Sequence, residues 1–230
     1  ADKATLFKTF TKIFAQRREL MATFMAKWST EHPGQSGHIH LSLKNEEKQN
    51  IFFDPSKPLN ISDEMRWFIG GQQKLMPELI AMVAPTINSY RRLIPNYWAP
   101  IDNSWGVDNR TASLRVIPGT PSSQRVEYRL ASADSNPYLA MSVALGSGLW
   151  GIENKIEPTK SINEAVGEHG IKPLPSSLGD ASDSLRKSKV AKLLFGSEFI
   201  EHFCTTREKE EELHRNHVDE WQLQRYFEII

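Results

Sequence analysis

The amino-acid sequence predicts an α+β fold, with strands in the first 130 residues and helices dominating the last 95. Two stretches, HIHLSL at 38–43 and RVEYRL at 125–130, alternate polar and apolar residues with the period of a β-strand. The chain has 230 residues, of which 39% are hydrophobic and 24% charged. This composition is ordinary for one large globular domain.

The N-terminal elements follow from the spacing of apolar residues. Leu6, Phe10 and Ile13 recur at helical spacing and predict a helix over residues 2–20. The segment TFMAKW, 23–28, predicts a strand, and a loop rich in Gly, Pro and Ser separates it from HIHLSL. Because a helical pattern begins almost at the first residue, we expect the chain to be a piece of a longer polypeptide.

The middle of the chain begins with a helix signal. Ser62 is followed by two acidic residues, as is typical of a helix start. The helix should run to about residue 74, with the glycine pair at 70–71 weakening it and Pro77 restarting it. Residues 85–131 carry strand and turn signals with several prolines.

The C-terminal part of the chain is predicted to be mostly helical. Asn136 and Pro137 form a capped helix start, and this helix should extend to about residue 155. A connection rich in Pro, Gly and Ser covers roughly 157–180. The remaining helices are predicted over 180–195, over 197–215 with Ser197 as its cap, and around Trp221, Tyr226 and Phe227.

Charge and composition exclude several classes of partner. Lys and Arg total 28, as do Asp and Glu, so no overall field favours nucleic acid, and we expect no nucleic-acid partner. No apolar run approaches membrane-spanning length, and we expect no membrane association. The N-terminus lacks signal-peptide architecture, and Cys204 is the single cysteine. Together these features predict a reducing, cytoplasmic location.

The strand HIHLSL places chemically useful side chains on one face. Successive side chains of a strand point to opposite sides, so His38, His40 and Ser42 share one face while the aliphatic residues share the other. Two imidazoles at this spacing could serve one metal ion, or a metal and a neighbouring anion. Taken alone, however, an exposed polar strand face is the more common explanation.

The strand RVEYRL has the same construction. Arg125, Glu127 and Arg129 share one face, and the apolar residues share the other. A solvated ladder of salt bridges is the usual explanation of such a row. Alternatively, Glu127 could hold a metal while the arginines bind anions.

The distribution of arginine favours an anion-binding cleft. Residues 75–154 contain six arginines and no lysine, whereas the rest of the chain has fifteen lysines and seven arginines. Sites that bind carboxylates or phosphates through paired planar donors prefer arginine. A nucleic-acid site would normally recruit lysine as well and leave the domain basic.

Several sequence blocks together resemble the C-terminal catalytic part of the glutamine synthetase family. The blocks are FMAKW, SGHIHLSL, NSYRRLIPNYWAP, DNRTASLRVIPG and RVEYRLASADSNPYLAMSVALGSGLWGIENKIEP. They occur in the family's order and close to its spacing, and the similarity covers essentially the whole chain. The resemblance implies a partial catalytic-domain fold in which an antiparallel sheet, packed with helices, lines the active-site cleft and is followed by a helical C-terminal region.

The resemblance also implies ligands for metal and nucleotide. His38 and Glu127 resemble ligands of the divalent metal, Mg²⁺ or Mn²⁺, near the terminal phosphate of ATP. His40 and Ser42 resemble residues that face the nucleotide phosphates. Arg110 and Arg115 resemble arginines that contact ATP and the transferring phosphoryl group. Arg125 is implied to assist them.

The remaining implied roles concern glutamate, or a related acid, and the amine that is joined to it. Arg92 and Arg129 resemble the arginines that hold glutamate and the γ-glutamyl phosphate. Arg92, Arg110 and Arg129 are thus the implied catalytic residues. Gly34 lies in the loop that resembles the family's substrate loop, although Gly34–Gly37 replaces its Asn-Gly and is shorter. Trp98 stands where ammonia-using members carry a glutamate, which implies an amine larger than ammonia.

The resemblance places the chain within a larger assembly. The family's small N-terminal β-grasp domain and the first part of the catalytic domain have no counterpart in residues 1–230. Family active sites form between subunits, so we expect a homo-oligomer with shared sites in the full-length protein. Three hypotheses about function stay open at this point: a ligase, a non-enzymatic structural member of the family like the lens protein lengsin, or a metal-binding interaction module.

Overall fold

A computed structural model describes residues 1–95, 97, 99–163 and 171–229. It has the mixed α and β composition that the sequence predicts. The helices are α1 (Asp2–Gln16), α2 (Asp63–Val83), α3 (Ile87–Arg92), α4 (Pro137–Glu153), α5 (Leu178–Lys187), α6 (Lys189–Phe195), α7 (Ser197–Arg215) and α8 (Glu220–Tyr226). The strands are β1 (Ile39–Leu41), β2 (Trp105–Val107), β3 (Leu114–Ile117) and β4 (Arg125–Tyr128). No described helix is long and apolar enough to cross a membrane.

The strands form one small sheet in the order β1-β4-β3-β2. Its first three members are antiparallel, as predicted, but β2 pairs parallel with β3, so the sheet is mixed. One face of the sheet carries fully buried residues such as Leu114, Val116 and Val126, which join the core. The α+β fold class is confirmed, and the opposite face is left for polar side chains.

Helix α2 runs unbroken from Asp63 to Val83, so the predicted interruption is wrong. A methyl group on Gly71 would lie 2.5 Å from Cα of Gly151 in α4, so the glycines permit a close helix crossing rather than weakening the helix. Pro77 cannot donate to the carbonyl of Gln73. The side-chain amide of Asn103 donates to that oxygen at 3.2 Å instead, and the helix continues.

Residues 23–28 form no strand with any part of the chain that the structure describes, contrary to prediction. A strand needs a hydrogen-bonded neighbour, and this extended segment is bound by other means. The amide of Gln35 donates to the carbonyl of Ala26 at 2.7 Å, and the side chain of Asn88 exchanges two 2.8 Å bonds with the backbone of Lys27.

Some helix boundaries also differ from prediction. The first helix ends at Gln16 rather than near residue 20. The helix predicted over 180–195 is two helices, because Ser188 ends α5 and caps α6 by accepting from the amide of Ala191. Ser197 is the first residue of α7 rather than its cap, which is Gly196 with a φ of 86°.

Helix α3 lies in a region where strand and turn signals predominate. Its start is fixed by a capping box, in which Ser89 N donates to Thr86 Oγ1 and Thr86 N donates to Ser89 Oγ, both at 3.1 Å. The helix is only six residues long and ends at Arg92. A helix this short depends on its cap and on tertiary contacts for stability.

Candidate active site

One row of polar side chains crosses three strands. β1 and β4 pair with His40 opposite Glu127, and β3 and β4 pair with Arg115 opposite the same glutamate. Residues opposite each other on neighbouring strands project to the same face. An imidazole, a carboxylate and a guanidinium therefore stand side by side on the polar face of the sheet.

Glu127 is the centre of this face, and its side chain is only 5% exposed. Its Oε1 lies 3.0 Å from Nδ1 of His38, 3.7 Å from Nε2 of His40 and 3.2 Å from Nη1 of Arg129. Its Oε2 lies 3.3 Å from Nη1 of Arg115. Two histidines and two arginines thus share one nearly buried carboxylate, and we call these five residues the Glu127 cluster.

The charges of the cluster follow from burial and proximity. Burial lowers the pKa of His38 to about 4, and the charges of Arg129 and Arg92 act in the same direction while Glu127 opposes them. Burial alone would raise the pKa of Glu127, but the charges of Arg129, His38 and His40 and the hydrogen bond from Arg115 together outweigh it and keep that pKa below its usual value. The result near neutral pH is a neutral imidazole beside an ionised carboxylate.

The imidazole nitrogen of His38 and the carboxylate oxygens of Glu127 are suitable ligand atoms for a divalent metal ion. A neutral imidazole nitrogen and an ionised carboxylate oxygen are the protonation states that metal binding requires. In the part of the chain that the structure describes, no group of three or more His, Cys, Asp and Glu residues is placed to hold a metal. The two residues therefore offer part of a coordination shell.

His40 connects the cluster to Arg125. Nε of Arg125 donates to Nδ1 of His40 at 3.2 Å, and its Nη1 donates to the carbonyl of Ser123 at 2.9 Å. Ser42 lies one residue beyond the end of β1 and is exposed. The structure thus places Arg125 at the edge of the Glu127 cluster. Ser42 lies in the exposed segment that follows β1.

Arg129 is bound on two sides. Its Nη1 donates to Glu127, its Nη2 donates to the carbonyl of Arg110 at 2.8 Å, and its side chain is 6% exposed. Burial lowers the pKa of Arg129, Glu127 opposes this, and the charges of Arg115 and Arg110 add to the lowering. Three guanidinium groups therefore lie close enough to repel one another, which favours binding of an anion between them.

Asp108 is a neighbour of the site that the sequence did not single out. Nε and Nη2 of Arg115 both contact its Oδ1, the first at 3.1 Å. Asp108 is 67% exposed, and its backbone has a left-handed φ of 48°. The sequence offered one signal for Asp108, which is an acidic residue inside the arginine-rich stretch. Its pairing with Arg115 could not be predicted, because it depends on how β3 is placed beside the loop that precedes it.

Arg92 reaches the site from the end of α3. It is 3% exposed, and its Nη2 donates to the carbonyl of Leu130, two residues beyond β4. Burial lowers the pKa of Arg92 to about 10, against the charge of Asp134 and with that of Arg129. Its aliphatic stem crosses Gly34, where an added methyl group would lie 2.5 Å from Arg92 Cγ. Gly34 thus leaves the space that Arg92 occupies.

We expect Gly34→Ala in the full-length protein to displace Arg92. The new methyl group would meet both Arg92 Cγ and, at 2.6 Å, the backbone oxygen of Ala26, and the backbone contact cannot be relieved by a side-chain shift. Overpacking of this kind costs about 1–3 kcal/mol. The free energy of unfolding, measured by urea denaturation, should fall by an amount in this range.

Gly146→Ala is the matched control. A methyl group there would have its nearest neighbour, Phe195 Cζ, at 3.8 Å, and the residue lies inside α4. This variant should be at least as stable as the wild type, because helical alanine is favoured over glycine. Equal stability of Gly34→Ala and Gly146→Ala would contradict the steric account of Gly34.

Trp98 lies outside the described residues, so the prediction made for it stays a prediction. The same holds for its neighbour at 96, whereas Tyr97 between them is described. The ring of Tyr97 lies 4.4 Å from Nζ of Lys27, in a cation–π contact. The segment after Arg92 therefore contacts the chain that leads to Gly34.

The fold and the polar face define an α+β domain whose small sheet presents histidines, a carboxylate and arginines on one side. The model of the glutamine synthetase catalytic domain matches residues 1–226. The chain therefore belongs to the glutamine synthetase family. The resemblance drawn from the sequence blocks is confirmed.

Several curated relatives show how much of such proteins the chain covers. Type-1 glutamine synthetase 2 of Dictyostelium discoideum is 42% identical, over 100% of this chain and 45% of its own length. Glutamate–isopropylamine ligase of a Pseudomonas species is 40% identical, over 100% and 51%. A solved structure of apo GmaS without ligand has a TM-score of 0.86 and 30% identity, over 99% and 53%. The chain spans about half the length of these relatives.

Proposed function

We propose that the chain is the C-terminal portion of the catalytic domain of an ATP-dependent carboxylate–amine ligase. It would form a γ-glutamyl amide from glutamate, or a related acid, and an amine. The observation that carries this proposal is the Glu127 cluster, in which metal-type donors and anion-binding guanidinium groups share one buried carboxylate. Family membership makes the ligase reaction the first to consider.

The chemistry requires that a carboxylate first become a good electrophile. In the proposed reaction, a carboxylate oxygen of the acid attacks the γ-phosphorus of ATP, which releases ADP and gives an acyl phosphate. The amine then attacks the acyl carbon, loses a proton, and expels phosphate. Both steps move negative charge through the site, so fixed positive groups are the main requirement.

The residues of this chain supply such groups in fixed positions. Arg129 and Arg92 would hold the acid and its acyl phosphate, since both are nearly buried and held by acceptors of the chain. Toward ATP and the transferring phosphoryl group, the proposed contacts are His40, Ser42, Arg110, Arg115 and Arg125. Planar guanidinium donors suit phosphate oxygens better than single ammonium groups do.

A divalent metal, Mg²⁺ or Mn²⁺, would be held in part by His38 and Glu127. Such a metal neutralises phosphate charge when it is bound. The ionised state of Glu127 and the neutral state of His38 support this assignment. The remaining ligands would come from the first part of the catalytic domain, which we propose precedes this chain in the full-length protein together with a β-grasp domain.

The amine is proposed to be larger than ammonia. Trp98 replaces the glutamate of ammonia-using members, and an indole cannot accept a proton, whereas it can contact an alkylamine by stacking or cation–π attraction. Similarity at 40% identity to a glutamate–isopropylamine ligase supports the same direction. We also propose a homo-oligomer with sites shared between subunits, as in the family.

An amine panel tests this function. The full-length protein would be given ATP, glutamate and either ammonia, methylamine, ethylamine or isopropylamine, and phosphate release would be followed. We expect release that depends on glutamate and is faster with an organic amine than with ammonia. Equal use of ammonia would refute the amine assignment, and no phosphate release with glutamate and any of these amines would favour the non-enzymatic alternative.

We expect Trp98→Glu to raise use of ammonia relative to organic amines. Cation–π and stacking contacts are worth roughly 0.5–2 kcal/mol, which corresponds to about a tenfold preference. The new carboxylate would attract ammonium and accept its proton. The measurement is the ratio of kcat/KM for ammonia to that for the preferred organic amine.

Trp98→Gln is the control for this prediction. It removes the indole without adding a base, so it should lower use of the organic amine while leaving ammonia use unchanged. If both variants shift the ratio equally, the effect comes from loss of the indole alone. The role assigned to a carboxylate at this position would then be wrong.

A further inference from the structure

Asp134 is a half-buried carboxylate that accepts hydrogen bonds through both oxygens. Its Oδ2 accepts from Thr86 Oγ1 at 2.7 Å and from Ser89 Oγ at 2.8 Å. Its Oδ1 accepts from Ser132 Oγ. Three hydroxyl groups thus converge on one side chain, and two of them form the capping box of α3.

The capping box needs an acceptor for its hydroxyl protons. The hydroxyl oxygens of Thr86 and Ser89 accept from each other's backbone amides and lie 3.0 Å apart, and both hydroxyls are within donating distance of Asp134. Asp134 takes both protons and so fixes the rotamers in which the box can form. Charge-assisted bonds of this kind are stronger than neutral ones.

Asp134 also belongs to the chain that continues from β4. The same short segment includes Leu130, whose carbonyl accepts from Arg92 at the other end of α3. α3 is therefore attached to this segment at its start through Asp134 and at its end through Arg92. β4 itself carries Glu127, and Arg129 follows it directly.

Helix α1 also holds the same segment in place. Nζ of Lys8 donates to the carbonyl of Ala133 at 2.8 Å and to that of Ser135 at 2.9 Å. The residues on either side of Asp134 are therefore fixed by their backbones. Movement of the carboxylate relative to β4 is restricted, which makes it a stable reference point for α3.

We propose that Asp134 is a positioning residue for Arg92, which it holds against the carbonyl of Leu130 by anchoring the cap of α3. The consequence for the acid substrate rests on the proposed function of Arg92, whereas the anchoring of α3 does not. Because α3 is six residues long, a tilt at its cap is carried directly to Arg92. A tilt of this kind would misplace the guanidinium without unfolding the domain.

The test is Asp134→Asn in the full-length protein. An asparagine has one acceptor oxygen and a donating amide group, so at least one hydroxyl loses its acceptor. Hydrogen–deuterium exchange should become about tenfold faster in α3, and the KM for the acid should rise about tenfold. The KM for ATP should stay within about twofold, because Arg92 is not assigned to the nucleotide.

Asp180→Asn is the matched control. Asp180 accepts from Ser177 Oγ at 2.7 Å at the cap of α5, a helix that carries none of the proposed site residues. It should speed exchange only in α5 and leave every KM unchanged. A second variant, Ser89→Ala, removes one donor to Asp134 together with the acceptor of the Thr86 amide, and should reproduce the selective effect on α3 and on the acid.

The possible results distinguish the anchoring of α3 by Asp134 from the proposed ligase function. Unchanged exchange in α3 of Asp134→Asn, or equal rises in the KM for ATP and for the acid, would overturn the positioning role. If the wild-type protein uses no acid at all, the proposed function fails. Exchange in α3 would still decide in that case whether Asp134 anchors the helix.

Discussion

Arg129→Lys in the full-length protein should lower kcat/KM for the acid by about a hundredfold or more, because a point charge cannot replace a planar donor bound on two sides. The guanidinium of Arg129 contacts Glu127 through Nη1 and the carbonyl of Arg110 through Nη2. A lysine ammonium could reach one of these partners. The other partner would be left without its donor in a site that is nearly buried.

Arg66→Lys provides the matched control for this substitution. Arg66 also binds through two donors, Nε to Glu157 Oε2 at 2.7 Å and Nη2 to Glu157 Oε1 at 3.0 Å, but its side chain is 38% exposed. Exposed ion pairs contribute roughly 0–1 kcal/mol, so its kinetics should remain those of the wild type. Near-normal turnover of Arg129→Lys would contradict the role given to Arg129.

Glu127→Gln should have the other large effect, on both stability and metal affinity. Removal of the charge leaves Arg129 and Arg115 without the carboxylate that they share, and Glu127 is 5% exposed. Breaking a buried ion pair by removing one partner costs about 3–5 kcal/mol. Affinity for Mn²⁺ should fall by about a hundredfold or more, because a carboxylate ligand becomes a neutral amide.

Two measurements check the Glu127→Gln prediction. Urea unfolding reports the stability, and titration of Mn²⁺ into the metal-free full-length protein reports the affinity. Glu157→Gln is the control, since Glu157 also binds an arginine in two places but is 57% exposed, and it should change stability by less than about 1 kcal/mol. Unchanged Mn²⁺ affinity in Glu127→Gln would remove Glu127 from the proposed ligands.

The sequence predicted the two halves of the polar face because strand alternation is a local property. His38, His40, Glu127 and Arg129 could be assigned to one face of their strands from the period-two pattern alone. The pairing register could not be read in the same way. Arg115 meets Glu127 only because β3 lies beside β4 in one particular register, which distant packing contacts decide.

Other features were missed because their cause lies in a distant residue. The continuation of α2 past Pro77 depends on the side-chain amide of Asn103, which donates to the carbonyl of Gln73. This contact could not be predicted from the residues around Pro77. The cap of α3 had a local signal, Thr86 with Ser89, but its meaning depends on Asp134. Strand propensity in 23–28 was real, yet a strand also requires a partner at its edge.

The central claim, that the acid is activated by phosphoryl transfer, is tested most directly by the path of one oxygen atom. Glutamate labelled with heavy oxygen in its γ-carboxylate would be incubated with ATP, the preferred amine and the full-length protein. An acyl phosphate passes one carboxylate oxygen to the phosphate that leaves, so the released phosphate should carry one labelled oxygen per turnover. Unlabelled phosphate, or label found in AMP, would contradict the account.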